Sequence, residues 1–108
     1  MSAESTFRSL IEEAGYAIGH RVHDGMGGTT WRADREVGIA LVLSETNRLR
    51  ILVHEYVHVA YPDLDEVDTD PMTSLLLAGY VIALDQGRLD EFIASERERA
   101  AALATTNT

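Results

Sequence analysis

Residues 52–60 read Leu52-Val53-His54-Glu55-Tyr56-Val57-His58-Val59-Ala60, and the rest of the chain is best read outward from them. The stretch holds a His-Glu-x-x-His pattern. On a helix, positions i and i+4 lie on one face about one turn apart, so both imidazoles reach a single ion. Zinc accepts two imidazoles readily. Glu55, one residue from the first histidine, points beside such an ion rather than onto it. There it can take a proton from a water that the ion has acidified. The neighbours Ile51, Leu52, Val53, Val57, Val59 and Ala60 are apolar, which predicts a largely buried helix. Two histidines and a glutamate inside such a helix need partners to offset their desolvation, and a metal supplies a shared one. The competing reading is a chance pentapeptide with structural histidines. Four histidines and ten glutamates among 108 residues produce the pattern by chance about 1% of the time.

Upstream and downstream signals place this helix in an α+β domain. Ser44 is the expected N-cap of a helix over 45–60, which Pro62 ends. Before it, Ser5 to Ala14 reads as an amphipathic helix with Phe7, Leu10, Ile11 and Ala14 inward, closed by Gly15. Tyr16 to Val22 reads as a weak strand. Thr29 to Arg32 and Val37 to Leu43 follow as strands joined by a turn through Ala33-Asp34-Arg35. Together these predict a small antiparallel sheet. Three glycines in Gly25-Met26-Gly27-Gly28 mark a loop that could border a cleft, with a flexible turn as the plainer reading. Asp70-Pro71 predicts another helix start, an N-cap followed by proline at the first helical position. That helix runs to about Gln86 with Gly87 as its C-cap, and a last helix covers Leu89 to about Leu103. The expected order is an N-terminal helix, the sheet, the His-Glu helix and two further helices. Residues 1–4 and 104–108 are expected to be frayed ends of this one domain.

The third ligand is sought in the acidic stretch after the helix. Asp63, Asp65, Glu66, Asp68 and Asp70 are available, most of them expected as solvated or helix-capping carboxylates. Glu66 is the favoured ligand, being the only glutamate there and the one with the longer reach. Asp68 and Asp70 are the alternatives. The helix at 71–86 holds no glutamate or histidine, which narrows the choice.

Composition removes other chemistries. There is no cysteine, so disulfides, thiol nucleophiles and thiolate metal sites are excluded together. All nine basic residues are arginine, which excludes Schiff-base lysines and lysine phosphate loops. The net charge of −9 argues against nucleic acid or an anionic membrane as partner. The acidity is local: residues 55–91 carry nine acids against one arginine. A bound Zn²⁺ would cancel two of those units. No signal-peptide pattern is visible at the start, and the longest apolar run, Leu75 to Leu84, is too short to span a membrane. A cytoplasmic location is the expectation.

The segment 52–60 resembles the active-site helix of the zincin metallopeptidases. With the short helix, glycine loop and strand hairpin before it, the layout is similar to the small, phage- and mobile-element-associated ImmA/IrrE-like metallopeptidases. Tyr61-Pro62-Asp63-Leu64-Asp65-Glu66 resembles the shortened acidic continuation of minimal, gluzincin-like phage versions. The likeness covers about residues 15–86. It implies His54 and His58 as zinc ligands and Glu55 as general base and proton shuttle. Gluzincins take a glutamate from the following helix as third ligand, often in a Glu-x-x-x-Asp pattern, which Glu66 and Asp70 match in spacing. Pro71 departs from that pattern, since it disfavours helical geometry at Asp70 and would separate the two faces. ImmA-like peptidases usually place the glutamate further along, where helix 71–86 has none.

Secondary candidates are His20 and His23 as a second metal pair, with surface polar residues as the plainer reading. Tyr61 and Tyr80 are candidate oxyanion donors, with core or interface roles as the alternative. Trp31 is expected to pack. The 37–43 strand is expected to bind substrate backbone by strand addition. The leading expectation is a zinc metallohydrolase, most of all a peptidase, acting on a peptide or protein, with a repressor or host protein among the candidates. The rival is an acidic phage or mobile-element protein with a structural or relic zinc site. It would act by occupying a basic partner through the face at residues 63–70.

Overall fold

The structure is a computed structural model that describes residues 2–41 and 44–106, with nothing stated of the side chains of 104–106. It is an α+β arrangement of α1 (Ala3–Glu13), β1 (Ala17–Gly19), β2 (Gly28–Trp31), β3 (Glu36–Ile39), α2 (Glu45–Ala60), α3 (Glu66–Asp85) and α4 (Leu89–Thr106). The element order matches the expectation. Val42 and Leu43, the expected end of the third strand, lie outside the described residues.

Ser2–Glu4 form the cap and first turn of α1: the Ser2 hydroxyl accepts from the Ser5 N–H at 3.1 Å. Glu4 then accepts from Arg48 Nε of α2 at 2.7 Å, tying the chain's start to the central helix. At the other end, α4 continues through Thr106.

The sheet is mixed rather than antiparallel. Its order is β1-β3-β2, with β1 parallel and β2 antiparallel to β3. Short turns suggest a meander, but the chain leaves β1, crosses over β3 and returns along its far side as β2. The crossing depends on Gly38. A Cβ there would collide with the Arg21 backbone carbonyl, so only glycine lets the crossing segment lie on the sheet. The His20 ring secures the same crossing by donating from Nδ1–H to the Ile39 carbonyl at 3.1 Å.

Helix α2 is the hub. Ser44 caps it as expected, accepting from the Asn47 N–H at 3.3 Å. Leu52, Val53, Tyr56 and Val57 are fully buried among Phe7, Leu10 and Ile11 of α1 and Val37 of β3. The rings of Phe7 and Tyr56 meet edge to face at 5.6 Å. Burial of each such side chain contributes about 1.5–3 kcal/mol. On the far side, Glu96 of α4 accepts from the Tyr56 hydroxyl at 2.8 Å and the Tyr61 hydroxyl at 3.1 Å. This buried carboxylate satisfies both phenols and locks α4 to α2.

Helix α3 starts earlier than Asp70-Pro71 predicts. Asp65 is the N-cap, its carboxylate accepting from the Asp68 N–H at 2.9 Å. Pro71 therefore falls in the second turn. Its missing N–H leaves unbonded only the carbonyl four residues back, at Val67, a residue 79% exposed and so open to water. The C-terminus behaves as expected. Gly87 at φ +69 ends the helix, with Gly87 N–H to Leu84 O at 3.2 Å and Arg88 N–H to Ala83 O at 2.7 Å, a Schellman motif. The outer face of α3 exposes Leu75, Val81 and Ile82. Among the described residues no helix is long and apolar enough to cross a membrane.

Candidate metal centre

The turn at 61–65 folds α3 back along α2, so the first turn of α3 lies beside the last turns of α2. Three side chains meet there. His54 and His58 present their rings one turn apart, centroids 4.9 Å from each other at 77°. Glu66 reaches across from α3, with Oε1 2.7 Å from His58 Nε2 and Oε2 3.7 Å from His54 Nε2. One donor atom from each residue lies within 4.8 Å of the others. Among the described residues this is the group of three donors that could hold a metal.

Two imidazoles and a carboxylate are a donor set that could hold a metal ion. Ligand bonds to zinc of about 2.0–2.1 Å in a tetrahedron put donor atoms about 3.3 Å apart. The 2.7 Å and 3.7 Å contacts run to different oxygens of Glu66, one below and one above that spacing. Burial, the largest influence on it, pushes the His58 imidazole below its usual pKa, against the opposing pull of Glu66. The neutral ring is the form that ligates. Of the side chains, those of His54 and His58 are 23% and 14% exposed and that of Glu66 is 75% exposed. The histidines are thus preplaced and the carboxylate closes from the solvent side.

Asp70 does not cap α3. It stands one helical turn after Glu66 on the same face, with Oδ1 3.9 Å from His54 Nδ1. The expected separation of Glu66 from Asp70 at Pro71 does not occur, because the helix passes through the proline. Asp70 thus lies on the Nδ1 side of the ring whose Nε2 faces Glu66. Arg50 Nη2 holds Asp70 Oδ1 at 3.0 Å and the Ser74 hydroxyl at 3.1 Å. Asp68 serves α3 through its backbone N–H, and Asp65 is the cap.

Glu55 points from α2 towards β2. It is 4% exposed, and its Oε1 accepts from the Thr30 hydroxyl at 2.8 Å. Burial raises its pKa to about 7, with the Glu66 charge adding to the rise and the Thr30 hydrogen bond opposing it. The approach of β2 requires Gly28, where a Cβ would stand 2.6 Å from Ile51 Cγ2 and 2.9 Å from Glu55 Oε2. The glycine loop therefore ends at the site wall. Its composition hinted at this border, whereas Thr30 carried no local signal.

Glu55, the two histidines and Glu66 line one open cleft of about 520 Å³, with Gly28, Thr30, His23 and Arg32 among its other walls. The strand beside the cleft is β2, an edge strand, whereas β3 is the central strand with neighbours on both sides. Strand addition has no free edge over 37–39, where β3 is paired on both sides, and residues 42 and 43 of the expected strand lie outside the described residues. His20 and His23 do not form a second metal pair: His20 bonds Ile39, and the His23 ring lies tilted at 50° against Trp31, centroids 4.2 Å apart. Trp31 packs, as expected, with the Arg21 guanidinium 4.0 Å from its ring centre. Tyr61 donates to Glu96, and Tyr80 is buried against Phe7 and Phe92, so neither hydroxyl serves the cleft.

No protein-family model, curated protein or solved structure matches this chain.

Proposed function

We propose that the chain is a zinc-dependent metallohydrolase that cleaves peptides. The observation that carries this reading is the meeting of His54, His58 and Glu66 at one cleft with the buried carboxylate of Glu55. Zinc, when bound, would act as a Lewis acid that makes water a nucleophile near neutral pH and polarises the scissile carbonyl.

The chain's own residues supply the remaining steps. Glu55, with its pKa near 7, accepts a proton from the attacking water as the new C–O bond forms. It returns that proton to the leaving amine as the C–N bond breaks. Thr30 holds the carboxylate by Oε1, which fixes where the proton is received. The edge of β2 offers backbone groups to an extended peptide, which places its amide along the cleft.

The test is metal content and turnover on one set of proteins. Wild type is expected to hold one equivalent of zinc, lost in His58→Ala and in Glu66→Ala. Glu55→Gln is expected to keep the metal and lose cleavage of a mixed peptide library. Cleavage retained by Glu55→Gln overturns the mechanism. Zinc bound with no cleavage of any peptide by the wild type points instead to a binding protein that keeps the ion for structure.

A further inference from the structure

Helix α3 is apolar on the side that faces water. Its buried residues include Thr69 and Thr73, whose hydroxyls donate back to the Asp65 and Thr69 carbonyls. Its outer side carries Val67, Leu75, Val81 and Ile82, each more than half exposed. Positions 67, 71, 75, 78 and 82 follow one another at steps of four, four, three and four. Val67, Pro71, Leu75, Ala78 and Ile82 therefore form one nearly straight stripe, exposed along its length. A helix that is apolar all round belongs between neighbours on every side, and contiguous exposed apolar surface marks an interaction site.

The stripe and its flanks are complementary to themselves. In two α3 helices packed antiparallel about a two-fold axis at Ala78, each residue faces the one equally far beyond 78 in the second copy. The small Ala78 side chain lets the helices approach closely at the axis. Leu75 then meets Val81 and Ile82 of the second copy, the apolar residues three and four places past the axis. Asp85, seven places past it, comes level with Pro71, seven places before it. Arg50 stands at that level, its Nη2 3.0 Å from Asp70 Oδ1 and 3.1 Å from the Ser74 hydroxyl. Asp68 and Arg88 lie ten places either side of the axis, so they meet as well. Arg88 lines the groove between α3 and α4 beside Gly79 and Ile82. Asp68 and Leu75 fall on that same flank, at steps of seven, four and three through 68, 75, 79 and 82. One register thus seats apolar against apolar and sets acid against arginine at all four corners. Two chains of −9 repel at a distance, but salt screens that repulsion beyond about 8 Å.

We propose that this face is a dimer interface, in which two copies of the chain pack antiparallel through α3 about a two-fold axis at Ala78. The apolar stripe supplies the binding energy. The rim pairs, Arg50 with Asp85 and Arg88 with Asp68, fix the register, since exposed ion pairs add little energy while like charges in a wrong register repel. His54, His58 and Glu66 lie off the stripe, so the interface stands independently of the peptidase reading.

The chain has no cysteine, so one introduced thiol reports the axis. Ala78→Cys is expected to form a disulfide-linked dimer under mild oxidation, because two copies of one side chain meet only at the axis. Glu98→Cys, exposed on α4, is expected to stay unlinked. Sedimentation of the full chain at micromolar concentration is expected to give twice the mass of one chain. Leu75→Glu and Ile82→Glu each act on both copies, and each is expected to raise the dissociation constant more than about 100-fold. Asp68→Arg is expected to raise it about tenfold, and adding Arg88→Asp to restore it, since the swap re-forms both pairs only between antiparallel helices. Circular dichroism checks that each variant keeps its helices, and Ala78→Cys decides the matter for any that does not. A wild type that sediments as a single chain overturns the interface. So does a dimer that survives both glutamate substitutions, or an Ala78→Cys chain that links no faster than Glu98→Cys. A charge swap that fails to restore association overturns the antiparallel register.

Discussion

The Thr30 hydroxyl donates to Glu55 Oε1 across 2.8 Å, joining an edge strand to the His-Glu helix at a point that is almost dry. It is the bond that opposes the upward push of burial on this carboxyl. Strand and helix positions here determine acidity as well as shape. Thr30→Val keeps the volume and removes the donor. Loss of a hydrogen bond to a charged group, about 1.5–3 kcal/mol, corresponds to a rise of about one to two pKa units. NMR titration of the Glu55 carboxyl in metal-free protein is expected to show that rise, and an unchanged midpoint contradicts the role given to Thr30.

The same carboxyl sets a pH dependence of stability. Its folded pKa, about 7, lies above its ordinary value of 4.5. The folded state therefore binds the proton more tightly than the unfolded chain does. This contribution is fully present below pH 4.5 and is lost as pH rises through 7. It amounts to on the order of 3 kcal/mol. His58, held below its ordinary pKa of 6.5, acts in the opposite sense as pH falls. The clean readout is thus the difference between wild type and Glu55→Gln. In metal-free urea melts, wild type should lose stability relative to the variant between pH 4.5 and 7, and parallel curves would refute the buried carboxyl.

Asp70 stands 3.9 Å behind His54 Nδ1 and is itself held by Arg50. Asp70→Asn keeps the size and removes the negative charge beside the imidazole, for which we propose an orienting role once a metal is bound. Zinc affinity is expected to fall about 10- to 100-fold, measured by competition with a chromophoric chelator. Asp68→Asn, whose backbone rather than side chain is used, should leave it unchanged.

Two glycines give a graded stability test. At Gly28 an added Cβ meets the Ile51 and Glu55 side chains, which can shift, so Gly28→Ala should cost about 1–3 kcal/mol. At Gly38 it meets the Arg21 backbone carbonyl, which cannot, so Gly38→Ala should cost about 4 kcal/mol or more. Thermal melts of the two variants check the order. Equal losses would mean that the segment over β3 is free to move.

Sequence alone determined what depends on neighbours along the chain. His54 and His58 share a face because four residues make about one helical turn, and Ser44 and Gly87 cap helices by local hydrogen bonding. The α+β order followed from the same periodicities. Glu66 could be favoured by reach, but spacing could not place it, since its meeting with His58 depends on the angle at which α3 folds back. The start of α3 was misplaced because Asp-Pro is a strong local signal, while packing and the Asp65 cap carry the helix through the proline. The mixed sheet was hidden because strand order depends on a crossing over Gly38 that no local pattern encodes. Thr30 at Glu55, Asp70 at His54, and Arg32 beside His58 are likewise pairings between segments 16 to 26 residues apart. Only the tertiary structure decides them, because burial and through-space distance, not sequence spacing, set which polar groups must satisfy one another.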